Sequence, residues 1–468
     1  MDFHKAIFLT AFLPVFLALY HLAARPYKNS LLLLASLIFY AWFEPVFVFV
    51  LLGTTLLDFY LVRFIAASSG NKRKLYLAIS LCVNLSLLVW YKYRLWLAGM
   101  LGVEFTPEES KVMMLAIPLG ISFYTFESIT YLVDVYRGQQ EPLKKFSDYL
   151  LYILLFPKLL GGPIVRYGEI ADQIDDRSQY ESVEYRLSGF YRFCIGLAKK
   201  VLIADQLSRY YLLYVFDYLD PQELSSGDAW LALFAAFLMV YYDFSGYTDI
   251  ALGIAKMVGF RLPENFHNPL LAKGITDFWQ RWHITLSTWM KNYLYIPLGG
   301  NKKGSGRTYL NLIIVFIVSG IWHGAGLNYL LWGLFHGVLI LAEKLVKIRI
   351  PGFIATAITV LLVTYSMSLF FIAETDQLLP FQKALWGLNE QAKNHAAQTE
   401  FWLPLLAGTF FAFFACTAFT RRIQERVFQG PTTAAGHLLL TIISVLLFIL
   451  SLSYSTSVHY TSFVYFRF

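Results

Sequence analysis

Two histidines, His323 and His283, stand where residue type and surroundings suit proton transfer to and from a hydroxyl. His323 belongs to Trp322-His323-Gly324, and residues 310–321 before it and 327–340 after it are almost wholly apolar. Both flanks therefore read as helices at membrane depth, where water is scarce. Glycines at 320, 324 and 326 let the backbone bend there, and non-helical backbone at that depth is tolerated only where protein buries it or a watery cavity meets it. His323 is expected on a cavity floor. A neutral imidazole in that place can take a proton from an attacking hydroxyl and return it, since its unperturbed pKa is about 6.5. The other reading is a histidine hydrogen-bonded between helices as structural glue.

His283 requires a different element. Trp279, Trp282, Leu286, Trp289, Met290 and Tyr293 recur at helical spacing, with Gln280, Arg281, Ser287, Thr288, Lys291 and Asn292 largely opposite, which predicts an amphipathic helix. Asp277 is placed to cap its first turn, with Gln280 completing a pair like a capping box. This helix is too polar to span a bilayer, and its tryptophans suit an interface or a re-entrant position. His283 borders the apolar stripe, either as an interfacial histidine bonded to a neighbour or as a second group of the site. A basic glycine loop, residues 299–307, separates the helix from the His323 segment.

Two further groups of polar residues interrupt apolar sequence. Asp243-Phe244-Ser245-Gly246-Tyr247-Thr248-Asp249 sets two carboxylates beside hydroxyls, which is costly at membrane depth unless they are paired or hydrogen-bonded. They either tune a histidine or fix helix packing. The run from Phe156 to Arg166 holds two prolines and two glycines, which predicts a re-entrant or interfacial turn. Arg166 could there meet a phosphate or carboxylate, or anchor to lipid headgroups.

The elements that position these residues follow from composition. Of 468 residues, 57% are hydrophobic, 18% aromatic and only 15% charged, which marks an all-α polytopic membrane protein. The net charge of +7 is split among short loops; it fits positive-inside loops and contact with anionic lipid, and gives no argument for nucleic acid. Cys82, Cys194 and Cys416 lie in apolar segments, so neither a disulfide framework nor a metal site is expected.

Expected spans are residues 6–22, 31–43, 46–64, 75–97, 112–133, 230–242, 354–371, 401–419 and 438–452. Residues 71–74, with Lys72, Arg73 and Lys74, give the clearest cytoplasmic marker, and Arg421, Arg422 and Arg426 mark a cytoplasmic loop. Basic residues also flank the His323 segment, Lys302, Lys303 and Arg307 before it and Lys344, Lys347 and Arg349 after it. A hairpin with His323 near its tip is expected; a single kinked span is the alternative. The amino terminus is expected outside, without a cleavable signal peptide. No internal repeat or linker divides the chain, so residues 1–468 are expected to form a single membrane domain.

Taken in order, several short motifs carry a resemblance: Gly161-Gly162-Pro163-Ile164-Val165-Arg166, Tyr242 to Asp249, Asn265-Phe266, Phe278 to Ser287, Tyr295-Ile296-Pro297-Leu298-Gly299-Gly300-Asn301, Trp322-His323-Gly324 and the terminal residues 463–468. Together they resemble the membrane-bound O-acyltransferase family, and within it the bacterial branch that acts in alginate O-acetylation and in D-alanine transfer to teichoic acid. That resemblance implies a helical scaffold with re-entrant and amphipathic helices around a tunnel that links a cytoplasmic donor side to an external acceptor side. It implies that His323 matches the family's principal catalytic histidine and His283 its second polar position. Trp279, Arg281, Trp282, Trp322, Asp243, Ser245 and Arg166 become candidates for lining the tunnel or touching substrate, and His336 is expected to serve helix packing.

The implied reaction is acyl transfer from a thioester, with acetyl-CoA as the expected donor, no tightly bound cofactor and no metal. His323 would deprotonate the acceptor hydroxyl, and His283 or a nearby donor would steady the oxyanion. No acyl-enzyme is required: there is no nucleophile-elbow pattern, and Asn328 stands five residues after His323, where soluble His-x4-Asp acyltransferases carry aspartate. Expected partners are periplasmic or membrane acetyltransferase proteins, a bacterial exopolysaccharide such as alginate or acetylated cellulose as final acceptor, and the bilayer of the bacterial inner membrane. A D-alanyl or longer-acyl transferase would share every motif. A polysaccharide export channel is the competing class, though transporters often show paired halves and none is visible.

Overall fold

The computed structural model describes residues 3–457, apart from 104, 107, 110–112, 114–116, 213, 214, 217, 218, 347–349, 373, 396, 431 and 432. The terminal motif at 463–468 thus lies outside the described residues, as do Lys347 and Arg349. The described chain is helical apart from turns and one isolated bridge between Leu224 and Lys393. Among the described residues, seven helices are long and apolar enough to cross a membrane, which fits the expectation of a polytopic membrane protein.

Contacts divide the chain into two compact units, Met1–Phe193 with Ile250–Pro263, and Cys194–Asp249 with Glu264–Phe468. The first unit holds α1 (Leu13–Leu22), α2 (Arg25–Phe43), α3 (Phe47–Ala67), α4 (Gly70–Met100), α5 (Ile121–Tyr136), α6 (Phe146–Leu154), α7 (Tyr167–Asp175) and most of α8 (Val183–Ala198). Pro26 stands in the first turn of α2, where a missing N–H removes no helical bond, whereas Pro14 follows the π-helical turn Phe8–Phe12 within a continuous helical run. Lys72, Arg73 and Lys74 lie at the start of α4, which begins as soon as Gly70, at φ +57, has turned the chain.

The run from Phe156 to Val165 is buried in this unit. A salt bridge between Lys158 and Glu127 holds it, Val165 N donates to Glu127 Oε1 at 3.1 Å, and Tyr152 Oη donates to Val165 O at 2.7 Å. Buried charge is tolerable here because it is paired and hydrogen-bonded on several sides.

The second unit contains the first part of α9 (Ser226–Met257), then α10 (Ile275–Arg281), α11 (Ile284–Trp289), α12 (Ser305–His323), α13 (Leu327–Leu345), α14 (Gly352–Phe371), α15 (Thr375–Leu385), α16 (Thr399–Ala412), α17 (Ala418–Gln429) and α18 (Ala434–Ser457). The expected span at 230–242 is part of a 32-residue helix that runs straight through Asp243 and Asp249. It can do so because both carboxylates are paired: Lys200 Nζ lies 2.6 Å from Asp243 and 2.8 Å from Asp205, and Lys199 Nζ lies 2.6 Å from Asp249. Gly246 lets this helix approach closely, since a Cβ there would press on Gly196 O and Lys200 N. The arginines at 421, 422 and 426 fall on the helix α17 and not in a loop, because Thr417 and Thr420 cap its start with reciprocal hydrogen bonds.

Candidate active site

The His323 segment folds as a hairpin of two 19-residue helices, α12 and α13, joined by Gly324, Ala325 and Gly326. Its arms touch backbone to backbone. A Cβ on Gly320 would meet Tyr329 O and the Cα of Gly333, and one on Gly333 would meet Phe316 O. Small residues at helix contacts within a membrane permit such an approach. His323 is the last residue of the first arm, where the helix stops, and it is 4% exposed.

Aromatic rings enclose it edge-on: the ring centroids of Trp322, Trp332 and Phe370 lie 5.0, 5.0 and 5.5 Å from its own. On one side His323 faces a cavity of ≈ 20 Å³, whose walls include Trp279, Trp282, Trp332, His336 and Phe370. Such a space accommodates about one water or a group of similar size.

His336 stands on the same cavity, one turn after Trp332. Its Nδ1 accepts from Trp279 Nε1 at 3.4 Å, and its Nε2 lies 3.1 Å from Ser366 Oγ. Ser366 Oγ donates its own proton to Val363 O at 2.7 Å, so it receives one from His336. The geometry therefore assigns the Nε2–H tautomer, with both ring nitrogens engaged. His336 packs helices as expected, and it also fixes the indole of Trp279 in the cavity wall.

The expected continuous amphipathic helix is broken at Trp282-His283 into α10 and α11, with a π-helical turn, Met290–Tyr295, after them. His283 takes the left-handed conformation, φ 46. The break is stabilised by the preceding loop. Asn265 O accepts from Ile284 N at 3.0 Å, and Asn265 Oδ1 accepts from Thr285 N at 3.3 Å and Thr285 Oγ1 at 2.9 Å. These are donors at the start of α11 that have no partner within the helix.

The cap of α10 also differs from the expectation. Gly274 is its N-cap, Glu343 at the end of α13 accepts from Thr276 N at 2.8 Å, and Asp277 accepts from Lys273 N at 2.9 Å. A carboxylate brought in by tertiary packing occupies the place that local sequence assigned to Asp277. The apolar stripe itself is as read, with Trp279, Trp282, Leu286, Trp289 and Met290 buried.

His283 is fully buried, and its Nδ1 lies 3.1 Å from Asn265 Oδ1. Because that oxygen already receives a backbone N–H, which can only donate, the amide orientation is set and Nδ1 must carry the proton. Nε2 is then the basic nitrogen of the neutral ring. His283 lies outside every helix long enough to span a membrane, and burial pushes its pKa down to about 3. Neutral His283 thus presents an acceptor, whereas steadying an oxyanion needs a donor.

The two histidines meet on one indole: the Trp322 ring centroid lies 5.9 Å from that of His283 and 5.0 Å from that of His323. His283 is not on the cavity wall, however; His336 is. Trp279 and Trp282 line the cavity as candidates for substrate contact, and Trp322 links the histidines. Arg281 pairs with Asp277 at 2.6 Å, partly exposed, and is not among the cavity residues. Asp243 belongs to the Lys200 cluster, and Ser245, buried on the same helix, also lies off the cavity. Arg166 lies in the first unit, with its guanidinium 2.7 Å from Glu169.

Sequence reasoning gave no role to Asn265 or Trp332. Asn328, Trp332 and His336 recur every four residues on α13, a polar and aromatic stripe that helical spacing could have identified.

A sequence model described as MBOAT, membrane-bound O-acyltransferase family, matches residues 65–372. The chain is 36% identical over 451 residues to a probable alginate O-acetylase of Pseudomonas aeruginosa, covering 93% of this chain and 85% of that protein. It is 34% identical over 434 residues to a peptidoglycan O-acetyltransferase of Helicobacter pylori, covering 85% and 82%. It is 29% identical over 232 residues to a teichoic acid D-alanyltransferase of Bacillus subtilis, covering 47% and 57%.

Proposed function

The chain belongs to the membrane-bound O-acyltransferase family, and from that membership we propose that it transfers acetyl groups from a cytoplasmic thioester, acetyl-CoA, towards the hydroxyls of a bacterial exopolysaccharide. The observation that carries this reading is the seat of His323: at the turn of a membrane hairpin, enclosed by aromatic rings, facing a cavity of ≈ 20 Å³. A space of that size leaves no room for a long acyl chain beside His323. The similarity to polymer-directed O-acetyltransferases supports a saccharide hydroxyl, of an alginate- or cellulose-like polymer, as the final acceptor.

In this reaction His323 takes the proton as the acceptor oxygen attacks the thioester carbonyl carbon. The C–O bond forms, the C–S bond breaks, and the departing thiolate receives a proton from the imidazolium. His283, in ring contact with Trp322 and off the cavity wall, is assigned to positioning that indole beside His323, not to holding the oxyanion. Trp279, clamped by His336, limits the length of acyl group that fits beside His323. The enzyme works in the bacterial inner membrane through a tunnel between donor and acceptor sides, and hands the acetyl group to periplasmic or membrane partners.

The test supplies membranes carrying the chain and its polymer-modifying partners with labelled acetyl-CoA, an eight-carbon acyl-CoA, or a D-alanyl carrier-protein thioester. Acetyl label in the polymer, with the longer acyl group excluded, is the expected result. Label from the aminoacyl donor alone would keep the family and reject acetyl.

A further inference from the structure

The helix α17 is basic, with Arg421, Arg422 and Arg426 against the single acidic residue Glu425. It begins two residues after a helix long enough to cross a membrane, Thr399–Cys416, and the next such helix, Ala434–Thr456, follows it closely. A segment between two helices that each cross a bilayer starts and ends near its surface. None of the 12 residues of α17 is buried. Phe419 and Ile423 expose apolar surface, 72% and 39%. Arg421, Arg422 and Arg426 are exposed and have no ion-pair partner among the described residues, against one acidic residue, Glu425. Exposed apolar side chains beside unpaired arginines match the chemistry of an anionic headgroup layer, acyl boundary below and phosphate above.

A second observation ties this helix to the active site. Gln424 and Asn268 exchange two amide hydrogen bonds, each 3.0 Å. Asn268 takes a left-handed conformation, φ 50, in the loop that also contains Asn265, the residue that orients His283. That loop is laced to α10 and α11 by His267 N to Arg281 O at 2.9 Å and Ile284 N to Asn265 O at 3.0 Å. At the other end of α17, Lys199 Nζ lies 5.8 Å from the Phe428 ring centroid while pairing with Asp249. A displacement of α17 is therefore passed to the loop that sets the His283 tautomer.

We propose that α17 is a site for anionic phospholipid, with Arg421, Arg422 and Arg426 holding headgroup phosphates, and that the Gln424–Asn268 pair makes acyl transfer depend on that lipid. The dependence on lipid rests on the reading of the His323 and His283 site as an acyltransferase centre; the lipid site does not. Gln424 and Asn268 are positioning residues in this scheme, since neither touches the cavity.

The experiment uses the full-length protein in nanodiscs of phosphatidylcholine, with or without phosphatidylglycerol, and reads retained lipid by native mass spectrometry alongside acyl transfer. Each arginine near an anionic surface contributes about fivefold in affinity. The triple variant Arg421→Gln, Arg422→Gln, Arg426→Gln should therefore bind phosphatidylglycerol roughly a hundredfold more weakly, and Arg422→Gln alone about fivefold, which keeps the test sound if the triple variant folds poorly.

Phosphatidylglycerol should stimulate transfer by wild type. Gln424→Ala should retain the lipid yet lose the stimulation. Unchanged lipid retention in the arginine variants would overturn the site, and stimulation surviving in Gln424→Ala would overturn the coupling. Equal stimulation by soluble glycerol 3-phosphate would assign the arginines to a free phosphate and reject the lipid. If wild type transfers no acyl group in either lipid, the acyltransferase reading fails while the retention measurement still decides the lipid site.

Discussion

His283 shows how a single hydrogen bond can reassign a residue. Its chemical type was evident from the sequence, but its protonation was not, because Asn265 lies 18 residues earlier and meets it only through a left-handed turn that no local propensity favours. With the folded pKa near 3 and the unfolded value near 6.5, the unfolded chain binds the proton first. The stability tied to neutral His283 is therefore fully present above about pH 6.5 and is lost as pH falls towards 3. Thermal unfolding in detergent, followed from about pH 7 to about pH 5, should show the midpoint falling with acidity, and His283→Asn should flatten part of that slope. An identical slope in the variant would mean that the ring is not held neutral.

At the scale of elements, the hairpin and the buried charges make separate predictions. Gly333→Ala forces a Cβ against Phe316 O and should destabilise by about 1–3 kcal/mol, with a loss of transfer because both arms carry cavity residues. Gly306→Ala, on the first arm with open space around it, should be neutral or stabilising by up to about 1 kcal/mol. Similar unfolding midpoints for the two variants would contradict close packing of the arms.

Lys200→Met leaves Asp205 and Asp243 without their shared cation and should cost about 3–5 kcal/mol of stability. Transfer per folded molecule should not change if the cluster only supports packing; a selective loss of rate would put Asp243 back among the site residues. The hairpin was legible from glycines and flanking charge. The break at Trp282-His283 was not, since the apolar stripe runs through it unbroken and only the Asn265 loop, remote in sequence, makes it favourable.

For the whole molecule, composition alone established the class: long apolar runs and few charges leave a multi-pass helical membrane protein as the fold. Element ends were less legible. The charge run at 421–426 looks like a loop to a positive-inside argument, yet it is helical, because arginine is a good helix former wherever solvent or headgroups can reach it. The candidate site was half visible. His323 and Trp322 on the hairpin follow from sequence, while the place of Trp332 beside them and of His336, not His283, as the second histidine on the cavity depends on how helices pack.

The role of His323 as the general base is tested most directly by the rate of acetyl transfer from acetyl-CoA with His323→Ala and wild type at matched amounts of folded protein. A rate at least about a hundredfold lower in the variant, with the unfolding midpoint little changed, is the predicted result. Transfer at a near-normal rate would show that His323 only packs the hairpin turn.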